Sequence, residues 1–243
     1  MTTAQQTALV YGLLGFCVVW GIVLVPQLIS HYARFGRVLG RRVAATAAVT
    51  LYGCLAVAVV LLPLPGPGTN RLSQTVQLVP LQWVSDVGTE LARHGEPSSH
   101  ALFTLAFQQV AMNVLLFVPL GLFARLLWRR GLAGTVLLGF GASLAIEITQ
   151  VTANFGTAPF VYRIFDVDDL LNNTAGALLG WVVAALFVAL RRASAVAAAP
   201  AEPATVPVPV GRPRPAVPAG PAFAGRPVAP HAGLRAGPSA RQR

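Results

Sequence analysis

Five runs of apolar residues, each long enough to cross a bilayer, divide the chain. They lie at about 8–28, 43–62, 110–128, 132–151 and 170–190. A helix of about 20 residues spans the roughly 30 Å hydrocarbon core of a membrane. The pattern therefore predicts an all-α integral membrane protein built as a bundle of about five transmembrane helices.

The polar segments between these runs differ in charge. Arginines dominate the first connection, the short turn between the third and fourth runs, and the end of the fifth run. They are Arg34, Arg37, Arg41, Arg42, Arg125, Arg129, Arg130, Arg191 and Arg192. The segments 63–101 and 152–169 instead contain more Asp and Glu than Arg. Because basic residues stay on the cytoplasmic side, we expect the N-terminus outside and the C-terminus inside.

This arrangement divides the chain into four parts. Residues 1–62 form two N-terminal helices with a basic cytoplasmic loop, and 63–101 form an extracytoplasmic loop. The loop's semi-apolar stretch 76–87 is expected to lie along the membrane interface or in the mouth of the bundle. Residues 102–192 hold three helices, and 193–243, rich in Ala, Pro and Arg, are predicted to be a disordered cytoplasmic tail.

Composition supports a multi-pass membrane protein. The 243 residues are 55% hydrophobic and 11% charged, with a mean hydropathy of +0.64. The net charge of +10 comes from arginines that flank apolar runs or lie in the tail. Membrane lipids are therefore the expected partners, and we expect no nucleic-acid partner. Cys17 and Cys54 lie inside apolar runs, which favours buried thiols over a disulfide.

Polar residues within the last three runs carry the functional signal. Asn113 lies in the third run, before Pro119 and Gly121, which are typical of a kinked and closely packed helix. Glu147 and Gln150 lie one turn apart near the end of the fourth run. Placing a carboxylate within a membrane helix costs free energy, so such a residue is by default a candidate for a functional role.

A second polar group precedes the fifth helix. Arg163 is followed by Asp166, Asp168 and Asp169, and then by Asn173. A helix that begins near Asp166 places Asp166, Asp169, Asn173 and Gly176 on one stripe. The spacing of Gly176 and Gly180 favours close packing against another helix.

Together these residues predict one extracytoplasmic polar site. Its catalytic candidates are Glu147, Asp166, Asp168 and Asp169, and its ligand-binding candidates are Asn113, Gln150, Arg163 and Asn173. One arginine does not balance these acids, so a cation, a raised carboxyl pKa or a cationic ligand is required. An oxygen-rich set without His would suit Mg²⁺ or Ca²⁺. The alternative is structural: an Asp caps the fifth helix, Arg163 neutralises one carboxylate, and Glu147 and Asn113 tie helices together.

The chain resembles the VanZ-like family. The resemblance rests on Asn113 with Phe117, Pro119 and Gly121, on Glu147 with Gln150, and on Arg163-x-Phe165-Asp166-x-Asp168-Asp169 followed by Asn173-Thr174 and Gly176. It covers roughly 78–190, and within it Leu81 replaces the family's usual Phe.

The resemblance implies a bacterial membrane protein, since the family is named for one linked to low-level teicoplanin resistance. It implies a place near cell-envelope assembly, and a resistance role only by analogy. The leading hypothesis is a protein that binds or handles an envelope component such as a lipid-linked precursor. The alternatives are a membrane enzyme that acts on a lipid headgroup and a scaffold without a ligand site.

Overall fold

The computed structural model describes residues 3–62, 64–66 and 68–198, with side chains from Gln6 onward. In chain order the helices are α1 (Thr3–Phe35), α2 (Gly40–Leu61), α3 (Gln82–His94), α4 (Leu105–Leu126), α5 (Leu132–Val151), α6 (Ala153–Gly156) and α7 (Val167–Ala197). A 3₁₀-helix, Ser98–Phe103, precedes α4. Two short strands, β1 (Val76–Gln77) and β2 (Phe165–Asp166), pair in parallel.

Among the described residues, five helices are long and apolar enough to cross a membrane. They are Gln6–Phe35, Gly40–Leu61, Leu105–Leu126, Leu132–Val151 and Val167–Ala197. The predicted all-α membrane bundle is thus confirmed, whereas its orientation stays a prediction. Because α7 ends at Ala197, the first residues of the predicted tail are helical. The rest of that tail, 199–243, lies outside the described residues.

The bundle buries several polar side chains and exposes many large apolar ones. The largest fully buried side chains are Glu147, Thr135 and Ser143, while large apolar residues such as Ile22 and Leu137 are exposed. In water this distribution would be unstable. In a bilayer it is expected, because lipid covers the apolar surface while small and polar groups join the helices inside.

Helix α7 is the centre of the packing and lies against both α4 and α5, while α1 packs along α2. Glycines make the α4–α7 contact close. A Cβ added at Gly176 would be 2.1 Å from the carbonyl oxygen of Val114, and one at Gly180 would be 2.0 Å from that of Val118. Gly121 faces α7 in the same way, 1.9 Å from the carbonyl oxygen of Ala177. The two backbones therefore meet where no side chain fits.

Pro119 lies in the middle of α4, between these contacts. Since proline has no N–H, it leaves a helix carbonyl without its usual donor. The hydroxyl of Tyr52, on α2, donates to the neighbouring carbonyl of Leu116 at 3.0 Å. Helix α2 thus contributes a polar contact at the level of the proline, as membrane helices with interrupted backbone bonding require.

The segment between α2 and α4 folds over one end of the bundle. Residues Val76 and Gln77 pair with Phe165 and Asp166. Helix α3 then packs on α4, where the ring of Trp83 meets that of Phe107 edge-on. Stretch 76–87, expected at the interface or in the bundle mouth, thus forms a strand and the first half of a helix at the end of the bundle.

Candidate functional site

A polar cluster lies at the end of the bundle where α4 and α7 begin and α5 ends. We call it the acidic cluster, and it comprises Asn113, Glu147, Asp166, Asp168, Asp169 and Asn173. The side-chain amide of Asn113 donates a hydrogen bond to Asp169. Glu147, only 1% exposed, accepts the backbone N–H of Asp166 at 3.0 Å. Most of the polar residues predicted to form one site therefore do come together.

Asp166 begins α7. Its carboxylate accepts the backbone N–H of Asp168 at 2.8 Å, which is the geometry of a helix N-cap. Burial is the main reason that the pKa of Asp166 is raised above its ordinary value, and the charges of Asp168 and Asp86 raise it further. The backbone hydrogen bond acts in the opposite direction. The structural alternative for this residue, a cap on the last helix, agrees with its geometry.

Asp168 joins α7 to α3. Its two carboxylate oxygens accept the backbone N–H groups of Leu81 at 2.6 Å and Trp83 at 3.2 Å. These N–H groups belong to the start of α3, where helical donors have no partner of their own. Because Asp168 is 3% exposed and both of its oxygens are occupied, its geometry is that of a buried cap and not of a free ligand.

Ser143 is a member of this neighbourhood that sequence analysis missed. Its hydroxyl accepts a bond from the amide of Asn173 at 2.9 Å and donates to the carbonyl oxygen of Asp169 at 3.4 Å. The Oδ1 atom of Asn173 is buried and has no hydrogen-bond partner in the described chain. A serine in an apolar helix carries little signal, although its position one turn before Glu147 on α5 could have drawn attention to it.

Arg163 and Gln150 form no hydrogen bond with the acidic cluster. The guanidinium of Arg163 donates to the carbonyl oxygens of Val59 at 3.4 Å and Leu62 at 3.2 Å, at the C-terminus of α2. It still attracts Glu147 and Asp169 electrostatically, but it forms no ion pair with either. Gln150 is 6% exposed on α5, and its amide forms no hydrogen bond with the residues that the structure describes.

The loop that contains Arg163 closes the end of α2 with a second contact. The hydroxyl of Tyr162 donates to the carbonyl oxygen of Leu61 at 3.0 Å and accepts the amide of Asn154 at 2.8 Å. Since the single phenolic proton goes to Leu61, the amide nitrogen of Asn154 must be the donor. The Oδ1 atom of Asn154 is buried, and it is left without a hydrogen-bond partner among the described residues.

An apolar groove of about 530 Å³ opens at this end of the bundle, between α2 and α5. It is lined by Ala56, Val57, Val60, Leu61, Leu62, Leu64, Ala145, Ile146, Thr149, Asn154, Phe155 and Thr157. The left-handed turn at Ala153–Gly156 forms part of its rim, with φ of 53° at Asn154 and 56° at Phe155. Such a backbone is costly for residues other than glycine, on the order of 1–2 kcal/mol each.

The charges of the acidic cluster have no close cationic partner. Across residues 3–62, 64–66 and 68–198, the ion pair within 4 Å joins His100 to Glu96, outside the cluster. Nor do any three His, Cys, Asp or Glu side chains of these residues stand in an arrangement that would hold a metal ion. The hypothesis of a Mg²⁺ or Ca²⁺ site therefore gains no support from the geometry.

Comparison with known proteins agrees with the motifs in the sequence. Residues 49–188 match the VanZ/LLP1 family, so the match begins within α2, earlier than the resemblance in the motifs suggested. No curated protein and no solved structure matches the chain. The family match covers more than half of the 243 residues and all of the acidic cluster. This chain therefore belongs to the VanZ/LLP1 family.

Proposed function

We propose that this protein binds a lipid-linked component of the bacterial cell envelope at the outer side of the membrane. The observation that carries the proposal is that an apolar groove and a set of uncompensated carboxylates occur at the same end of the bundle. The arginine distribution predicts that this end faces outward. A ligand with a hydrocarbon chain and a polar head would use both features.

The groove suits the hydrocarbon chain. Its walls are apolar side chains of two membrane-spanning helices, including Val57 and Val60 on α2 and Ile146 on α5. Filling it with hydrocarbon requires no desolvation of a charged group. Asn154 is one of the polar residues of its lining, and the buried Oδ1 atom of this residue lacks a hydrogen-bond donor, which a hydroxyl near the head of a lipid would supply.

The acidic cluster suits a head rich in hydrogen-bond donors. Asp166 and Asp169 are its partly exposed carboxylates, whereas Glu147 lies buried behind Asp166 and holds the backbone there. Asn113 orients Asp169 through its amide. Carboxylates accept bonds from sugar hydroxyls and attract ammonium groups. A glycan or an amine-bearing head would thus contact Asp166 and Asp169, while Glu147 and Asn113 position them.

The family resemblance supports the same class of ligand. It implies a protein close to cell-envelope assembly, and an outward site for a lipid-linked glycan fits that place. A role in teicoplanin sensitivity would follow if the protein alters the amount or exposure of such a precursor. Teicoplanin susceptibility is therefore a phenotype by which this role can be measured.

The experiment compares variants in a strain that lacks the chain. Asp169→Asn removes one carboxylate charge, and Ala145→Trp fills the groove from an exposed position on α5. We expect neither variant, at equal protein level, to restore the wild-type profile of lipid-linked precursors or the wild-type teicoplanin susceptibility.

Two matched variants serve as controls. Glu96→Gln makes the same charge change at an exposed position outside the acidic cluster, and Leu137→Trp adds the same side chain to α5 at a lipid-facing position away from the groove. Both should restore the wild-type profile. Wild-type restoration by Asp169→Asn and Ala145→Trp as well would refute the proposed site.

A further inference from the structure

A second cavity lies at the opposite, arginine-rich end of the bundle. It has a volume of about 680 Å³ and is bounded by α1, α2 and the C-terminal end of α4. We call it the basic cavity. Its polar lining includes Gln27, His31, Arg42, Thr46, Trp128 and Arg129. The acidic cluster has no part in it.

Hydrogen-bond donors predominate among its polar groups. Arg42 and Arg129 both line the cavity, and each carries a permanently charged guanidinium. His31 is 6% exposed, and its Nδ1 accepts the backbone N–H of Leu39 at 3.3 Å. The proton of the neutral imidazole is therefore on Nε2, which makes this ring a donor too. Such a set of donors is complementary to an anion.

The arginines of this cavity have no acidic partner in the described chain. All acidic residues of residues 3–62, 64–66 and 68–198 belong to the segment before α4 or to the acidic cluster, at the other end. Arg42 instead lies over the ring of Phe35, with 5.1 Å from Cζ to the ring centroid. An anion from outside the described residues would thus meet two uncompensated positive charges.

Gln27 gives the cavity an unpaired acceptor, which requires a hydrogen-bond donor from the ligand. Its amide nitrogen donates to the carbonyl oxygen of Arg42 at 3.3 Å and to the hydroxyl of Thr46 at 2.9 Å. Since a carbonyl only accepts, this fixes the orientation of the amide. The Oε1 atom of Gln27 is then a buried acceptor without a partner. A ligand that satisfies the cavity needs both an anionic group and a hydroxyl donor.

We propose that the basic cavity binds the headgroup of a phosphatidylglycerol-type lipid from the adjacent leaflet. The phosphate would contact Arg42 and Arg129, since arginine binds phosphate by paired hydrogen bonds. A glycerol hydroxyl would donate to Gln27 Oε1. The cavity lies at the ends of membrane-spanning helices, and Trp128 in its wall is 43% exposed, as expected for a ring at headgroup depth. The acyl chains would then remain in the bilayer.

The test measures thermal unfolding of the purified full-length chain in detergent with added dioctanoyl phosphatidylglycerol. A ligand that binds the folded state raises the melting temperature in proportion to its occupancy. We expect phosphatidylglycerol to raise it, and equal concentrations of dioctanoyl phosphatidylcholine or inorganic phosphate to have little effect. Arg42→Gln and Arg129→Gln should each weaken phosphatidylglycerol binding about tenfold or more.

The matched control is Arg37→Gln, which removes the same charge from an exposed position in the connection between α1 and α2, outside the cavity lining. It should bind phosphatidylglycerol as the wild type does. The lipid site would be ruled out if phosphatidylcholine or inorganic phosphate raised the melting temperature as much as phosphatidylglycerol does. It would also be ruled out if the two cavity variants bound phosphatidylglycerol as tightly as the wild type.

Discussion

Leu81 donates its backbone N–H to the Oδ1 atom of Asp168 across a distance of 2.6 Å. The bond joins the start of α3 to the first turn of α7, two elements that are far apart in the chain. Leu81 has a φ of 61°, in the left-handed region that side chains disfavour. The buried carboxylate thus holds a costly turn in place at the edge of the candidate site.

Replacing Asp168 tests this contact. Asp168→Asn keeps one acceptor oxygen but replaces the other with an amide NH2 group, a donor that faces a backbone N–H donor. We expect it to lower the free energy of unfolding by about 1–3 kcal/mol, which is the cost of leaving a buried donor unpaired. Thermal unfolding in detergent measures the loss, and limited proteolysis should show earlier cleavage near α3. Glu96→Gln, at an exposed position outside the acidic cluster, should change little. An unchanged melting temperature for Asp168→Asn would contradict the cap.

The raised pKa of Asp166 predicts a dependence of stability on pH. Because burial favours the protonated acid in the folded state, this group's contribution is fully present below its unfolded pKa and is lost as the pH rises through the raised folded pKa. Asp166→Asn keeps an N-cap side chain but cannot ionise. The difference in melting temperature between variant and wild type should therefore grow in the variant's favour as the pH rises through that range. A difference in melting temperature that stays constant with pH would argue against the raised pKa of Asp166.

Gly176 tests the close α4–α7 contact. In Gly176→Ala the added methyl group meets the carbonyl oxygen of Val114, so the two backbones must move apart. We expect a loss of about 1–3 kcal/mol or more in stability, as for other overpacked interiors. Gly141→Ala is the control, since an added Cβ there would have no heavy atom within 4 Å beyond its chain neighbours and its own helix backbone. Melting of both variants in one detergent gives the comparison, and equal stability would show that the helices separate at little cost.

Topology is tested with reporter fusions. A reporter placed after Arg192 should be active only if it functions in the cytoplasm, and one placed near Glu90 only if it functions outside. The reason is the excess of arginine at one end of the bundle. The opposite signals would place the acidic cluster on the cytoplasmic side and would remove the outward site from the proposed function.

The sequence by itself determined the number of membrane helices and the end at which the polar residues gather. The cost of placing a segment in lipid is local, so each apolar run identifies its own helix. Successive spanning helices must alternate in direction. The start of α4, the end of α5 and the start of α7 therefore lie at one end, and Asn113, Glu147 and Asp169 with them.

The tertiary structure alone decided which partner each polar group has. Arg163 binds the end of α2, Asp168 caps α3, and Ser143 joins Asn173, although nothing in the spacing of these residues indicates it. The apolar groove and the basic cavity are likewise formed by helices that are distant in the chain. In a bilayer, lipid-facing and helix-facing positions are both apolar. Hydropathy therefore cannot reveal the rotation of each helix, which is fixed only when glycine contacts such as that of Gly176 with Val114 bring the backbones together.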